Sequence, residues 1–135
     1  MIQLDTEAGV LGDRWAIGRM PKLECQVTVM RADVATVLCD GGDYAILGDN
    51  LFVSLDTSAS ALPPGTRLKV GGATCEVTPK PHTGCNKFQA RVGKDGWALT
   101  RDAVWLSEQL RGVHLRVLVN GEVRDGDPIV VESRP

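Results

Sequence analysis

The stretch "TRLKVGGATCEV", residues 66–77, constrains this chain's fold more than any other segment. Two strand-like runs flank a Gly-Gly pair. A two-residue connection of that kind closes an antiparallel hairpin, because glycine accepts the positive φ that the turn requires. A second pattern, "GVHLRVLVNGEVR", has Asn120-Gly121 at its turn and predicts another hairpin. "ECQVTVM", "DVATVLC" and "LFVSL" read as further strands, and "DGDP" turns the chain into a last one, "IVVES". Only "TRDAVWLSEQLRG" looks helical, with apolar residues at 103, 106 and 110, Thr100 as N-cap and Gly112 as stop. Short strands at close turn spacing predict a mainly β fold: a barrel-like, strongly bent antiparallel or mixed sheet with one or two short helices.

A chain of 135 residues is the usual size of one domain, and a single domain over residues 1–135 is expected, with no repeat, linker or low-complexity segment. With aromatics at 4%, the core must be filled mostly by Val, Leu, Ile and Ala. The net charge of −2 supplies no global field for nucleic acid or an anionic membrane. "MIQLDTEAGVLGDRW" carries no targeting pattern and no run reaches bilayer length, so a cytoplasmic protein is expected.

The four cysteines, Cys25, Cys39, Cys75 and Cys85, form no C-x-x-C pair. That argues against a zinc ribbon or a thioredoxin-type site, and a reducing compartment argues against disulfides. Cys25, Cys39 and Cys75 end or interrupt strand-like runs, where a free cysteine behaves as a small buried hydrophobe. Cys85 differs, lying in the loop "PKPHTGCNKFQ" with His82 three residues before it and Lys80, Lys87 and Arg91 nearby. Neighbouring positive charge favours the thiolate, which is the nucleophile, sulfur carrier and soft metal ligand. Pro79, Pro81 and Gly84 restrict the loop's path. On residue chemistry alone the plainer alternative stands beside this one: a surface connection whose cysteine tucks into the core. His82 with Cys85 gives two ligands where a structural zinc needs four. "GVLGDR" and "VGGAT" match neither phosphate-binding glycine fingerprint.

Four segments follow one another in a familiar order: "GVLGDRW", "ILGDNLFV", "RLKVGGATCEVTPKPHTGCNKF" and "LRGVHLRVLVNGEVRDGDPI". Together, from about Gly9 to Ile129, they resemble the MOSC domain, the C-terminal domain of molybdenum cofactor sulfurases, which also occurs as small stand-alone bacterial proteins. The resemblance implies a β-rich barrel-like fold with Cys85 as the functional residue. That cysteine would carry a persulfide sulfur or ligate molybdenum. It further implies that Lys80, His82, Thr83, Lys87, Arg91, Arg14 and Asn50 line the molybdenum cofactor site. The pattern departs from the family at Gly84, where many members have proline, and at Trp15, where some stand-alone members have histidine. No aminotransferase-like desulfurase domain and no pyridoxal phosphate lysine are identified. Sulfur would therefore come from a cysteine desulfurase, or electrons from a donor protein. The implied activities are sulfur transfer or molybdenum-dependent catalysis, including reduction of N-hydroxylated compounds. A non-catalytic β-barrel module binding a partner protein or small anion is the alternative from another class.

Overall fold

The computed structural model describes residues 1–13, 22–82 and 86–135. Arg14, Thr83 and Cys85 lie outside the described residues.

Strand β1 (Ile2–Asp5) pairs antiparallel with β2 (Gly9–Val10). The chain then enters the main sheet at β3 (Val27–Arg31) and crosses over through helix α1 (Ala32–Leu38) and a 3-10 turn (Tyr44–Leu47). It returns as β4 (Leu51–Val53), parallel to β3. The expected hairpin follows: β5 (Arg67–Val70) and β6 (Ala73–Val77) pair with Val70 opposite Ala73 across Gly71-Gly72. Helix α2 (Asn86–Arg101) is broken at Gly93, where φ is 82° and ψ 170°. A 3-10 turn (Ala103–Glu108) leads into β7 (Val113–Val119), β8 (Gly121–Val123) and β9 (Ile129–Ser133).

The six strands run in the order β4-β3-β7-β6-β5-β9 and curl into a half-barrel, while β2-β1-β8 forms a separate three-stranded sheet. The mainly β, strongly bent fold is as the sequence predicts. Alternation on β5, β6 and β7 sends Leu68, Val70, Cys75, Leu115 and Val117 inward, all 2% exposed or less. A smaller cluster on the outer side of β3 joins Met30 to Ala35, Leu38, Leu47 and Phe88, seating α1 and α2 there.

Several local expectations are corrected. "DVATVLC" is largely helix α1, not a strand, because two parallel neighbours such as β3 and β4 need a crossover between them. Asn120-Gly121 does not close a hairpin: β7 pairs with β3 and β6, and β8 pairs with β1. The helix expected from Thr100 is instead the end of α2 followed by the 3-10 turn. Thr100 donates its hydroxyl back to the Trp97 carbonyl, and Asp102 caps the turn through the Val104 amide. Cys25 sits in a 3-10 turn (Leu23–Cys25) rather than a strand and is half-buried, as is Cys39, whose thiol donates to the Ala35 carbonyl.

Gln26, 1% exposed, extends the ladder just before β3 begins. Its Oε1 accepts from the Val117 amide at 2.8 Å and its Nε2 donates to the Thr6 carbonyl at 2.8 Å. One side chain thereby ties β7 to the turn after β1. Among the described residues, no helix is long and apolar enough to cross a membrane.

Candidate functional site

After β6 the chain runs alongside β7. The Thr78 amide donates to the His114 carbonyl at 3.0 Å, and its hydroxyl donates to the Glu24 carbonyl at 2.7 Å. His114 points away from the barrel core, since Val113 and Leu115 on either side of it point in. Its Nδ1 lies 3.2 Å from the Lys80 carbonyl, an acceptor, so this nitrogen carries the proton. Beyond that anchor the His82 ring packs on His114, with centroids 4.4 Å apart at 42°.

Two elements from other parts of the chain close around His82. Asn50 pins the segment before β4 onto β3: its Oδ1 accepts from the Thr28 amide at 2.9 Å and the Thr28 hydroxyl at 3.1 Å. The Asn50 amide donates to the Thr28 hydroxyl at 3.0 Å. This fixes Asp49, whose side chain is wholly buried. Arg111, in the turn before β7, donates from Nη1 to Asp49 Oδ2 at 2.6 Å and lies 4.3 Å above the Phe88 ring of α2. His82 Nδ1 stands 3.8 Å from the other Asp49 oxygen, Oδ1, beyond hydrogen-bond reach.

Electrostatics follow from this enclosure. Burial, then the Arg111 charge and His114, push the His82 imidazole down to about 2, so it is neutral. His114 is lowered chiefly by burial. Burial pushes the Asp49 carboxyl above its ordinary value, opposed by the charge and hydrogen bond of Arg111 and by the nearby Thr28 hydroxyl. A guanidinium keeps its proton and the contact is short, so the pair is an ionised salt bridge at neutral pH. Three buried atoms in this cluster have no hydrogen-bond partner among the described residues: Asp49 Oδ1, His82 Nδ1 and Arg111 Nε.

A cleft of about 330 Å³ opens beside the cluster, lined by Pro81, His82, Thr100, Arg101, Leu106 and Arg111 among others. A larger cleft of about 670 Å³ lies along β4 and the segment joining β8 to β9. It holds no comparable set of buried ionisable groups, so the smaller cleft is the candidate site.

Of the residues expected at the site, His82 is at its centre. Lys80 contributes its backbone carbonyl to His114 and is exposed. Arg91 is exposed on α2, with Nη1 3.2 Å from where a Cβ on Gly48 would sit, placing it beside the Asp49 segment. Lys87 is exposed near the start of α2. Asn50 holds β3 and lines the larger cleft. Arg14, Thr83 and Cys85 lie outside the described residues. Asp49, Arg111 and His114 were not singled out by sequence reasoning as site residues. The one signal is His114, a histidine among apolar neighbours in a strand; Asp49, between Gly48 and Asn50, looks like an ordinary turn residue. Among the described residues, no three His, Cys, Asp or Glu side chains converge to hold a metal ion.

A family model for the MOSC domain matches residues 31–130. No curated protein matches the chain significantly. Solved structures share the fold. One, of a hypothetical protein, has a TM-score of 0.70 at 18% identity, over 98% of this chain and 61% of that one. YiiM from Escherichia coli gives 0.67 at 17%, over 99% and 63%. YiiM from Geobacillus stearothermophilus gives 0.61 at 17%, over 82% and 56%. At such low identity the likeness establishes the fold alone, and this chain spans only 56–63% of the length of those three.

Proposed function

The chain belongs to the MOSC domain family, and on that premise we propose that it binds a molybdenum cofactor, with Cys85 as the thiolate that ligates the metal or carries sulfur as a persulfide. The observation supporting this reading is the buried cluster at His82, three residues before Cys85 in the chain. It combines a neutral imidazole, a buried guanidinium and unpartnered polar atoms beside a cleft.

The residues present suit such a group. The cleft carries two guanidinium side chains, Arg101 and Arg111, and Arg91 stands beside the same segment. Guanidinium forks suit a phosphate or another oxyanion. Arg111 is already engaged by Asp49, so Arg91 is the phosphate-binding candidate, with exposed Lys80 and Lys87 adding local positive charge. A bound molybdenum centre would supply a soft metal position and redox capacity that side chains lack. The protein's own contribution is to orient the ligand, favour the Cys85 thiolate through cations close to it in the chain and cover the Arg111 guanidinium with the buried Phe88 ring.

In the sulfur-carrier form of the reading, the Cys85 thiolate attacks the outer sulfur of a donor persulfide. The donor's S–S bond breaks, the donor leaves as a thiolate, and a new S–S bond forms on Cys85, with no net change in electron count. A cysteine desulfurase is the natural donor, and a redox protein the natural partner if the metal cycles.

The test is metal and pterin analysis of protein purified from a cofactor-producing host, beside Cys85→Ser. Molybdenum and pterin in the parent, with metal lost from the variant, supports ligation. Metal absent from both, with persulfide forming on Cys85 from a desulfurase, selects sulfur carriage. Neither metal nor persulfide leaves the chain a binding module and overturns the proposal.

A further inference from the structure

Asp49 Oδ1 and His82 Nδ1 are both buried, both without a hydrogen-bond partner among the described residues, and 3.8 Å apart. An unmet buried hydrogen-bonding atom forfeits the bonds it made to water, so two complementary ones side by side need a reason. The chemistry allows only one arrangement. The Asp49 carboxylate, ionised against Arg111, can only accept. A bare Nδ1 facing it would set lone pair against negative charge. Nδ1 therefore carries the proton, and in a neutral imidazole that leaves Nε2 bare.

We infer that Asp49 is a positioning residue that fixes His82 as its Nδ1–H tautomer, leaving Nε2 as a hydrogen-bond acceptor for a ligand in the cleft lined by His82 and Arg111. The inference deepens the cofactor-site reading and rests on it for the ligand, but the tautomer itself belongs to the apo chain. It also defines the ligand's chemistry: a group offering an N–H, O–H or S–H donor to His82. The burial that keeps the ring neutral disfavours imidazolium, so His82 serves as an acceptor rather than as a base that takes the proton away. His114 supports the arrangement from behind. Its own Nδ1–H is committed to the Lys80 carbonyl, and its ring backs that of His82. Bringing Asp49 Oδ1 and His82 Nδ1 into bonding range needs a shift of under about 1 Å, since such bonds reach ~3.2 Å.

The experiment is imidazole 15N NMR on the full chain at neutral pH without added cofactor. The two histidines are told apart by His114→Gln. The expected spectrum shows His82 protonated at Nδ1 and bare at Nε2. In Asp49→Asn, the amide keeps an oxygen for Arg111 and turns its NH2 toward His82, so the tautomer inverts to Nε2–H. An Nε2–H tautomer in the parent, or no inversion in a folded Asp49→Asn, overturns the inference. If Asp49→Asn does not fold, the parent spectrum decides alone. A residue with a merely structural role would not set the tautomer. Because the readout needs no metal, pterin or sulfur, it can fail while cofactor binding stands, or hold while cofactor binding fails.

Discussion

The carboxylate of Asp49 meets the guanidinium of Arg111 at 2.6 Å in the protein interior, across 62 residues of sequence. With side chains 0% and 11% exposed, the ions gave up most of their hydration to meet. Removing one partner strands the other. Arg111→Met is expected to lower unfolding free energy by about 3–5 kcal/mol. Arg111→Met combined with Asp49→Leu should cost less than the single change. Urea denaturation of both variants measures this; equal or larger loss in the double variant would mean that the pair is not coupled.

Acid should unfold the protein through its histidines. The folded value of His82 lies at about 2, below the ordinary 6.5, and His114 is lowered too. Below pH 6.5 the unfolded chain therefore binds protons that the folded one refuses. Stability is full above that pH and falls as pH drops, by up to about 1.4 kcal/mol per pH unit for each histidine. Asp49, raised by burial, has the opposite sign and offsets part of the loss at lower pH. Urea midpoints between about pH 7 and 5.5 should decline, and His82→Gln should flatten the decline.

Gln26→Leu tests the bridge between β7 and the turn after β1. The substitution leaves the Val117 amide and the Thr6 carbonyl without the bonds that Gln26 now makes. A loss of about 2–4 kcal/mol is expected, with the Val117 amide exchanging its hydrogen faster. An unchanged exchange rate would show that the bridge contributes nothing.

Gly112 turns the chain from Arg111 into β7 with φ at 103°. A Cβ there would sit 2.0 Å from the Val29 carbonyl oxygen of β3. Gly112→Ala must push β3 and β7 apart, so a loss above about 3 kcal/mol is expected. The same change at Gly12, whose φ is 82° but whose Cβ would meet nothing within 4 Å among the described residues, should cost far less. Thermal melts of the two variants give the comparison.

Thiol labelling separates the cysteines. Burial pushes the Cys75 thiol up to about 12 and leaves it 0% exposed. Iodoacetamide on the native protein should spare Cys75 and modify Cys85 fastest, with Cys25 and Cys39 between. Peptide mass spectrometry reads the order. An inert Cys85 would remove the thiolate on which the proposed function depends.

The β5–β6 hairpin and strands β3, β4 and β9 were legible in the sequence because each signal is local: a Gly-Gly turn or an apolar alternation contained within a few residues. Helix α1 was not. Val34, Thr36 and Val37 favour a strand by local propensity, and only the parallel pairing of β3 with β4 requires a helical crossover. Residues 120–121 misled for the same reason. A turn signal does not choose a strand's partner, and β8 left β7 for β1.

The sequence alone determined the β-rich class and the family resemblance and pointed to His82 as a candidate site residue, since those rest on the order and type of neighbouring residues. Only the tertiary structure decided what surrounds His82. Asp49 and Arg111 look in sequence like ordinary loop charges, and His114 like an oddity in a strand. Their chemistry comes from being taken out of water together, where burial, the Arg111 charge and a tilted imidazole neighbour keep the His82 ring neutral.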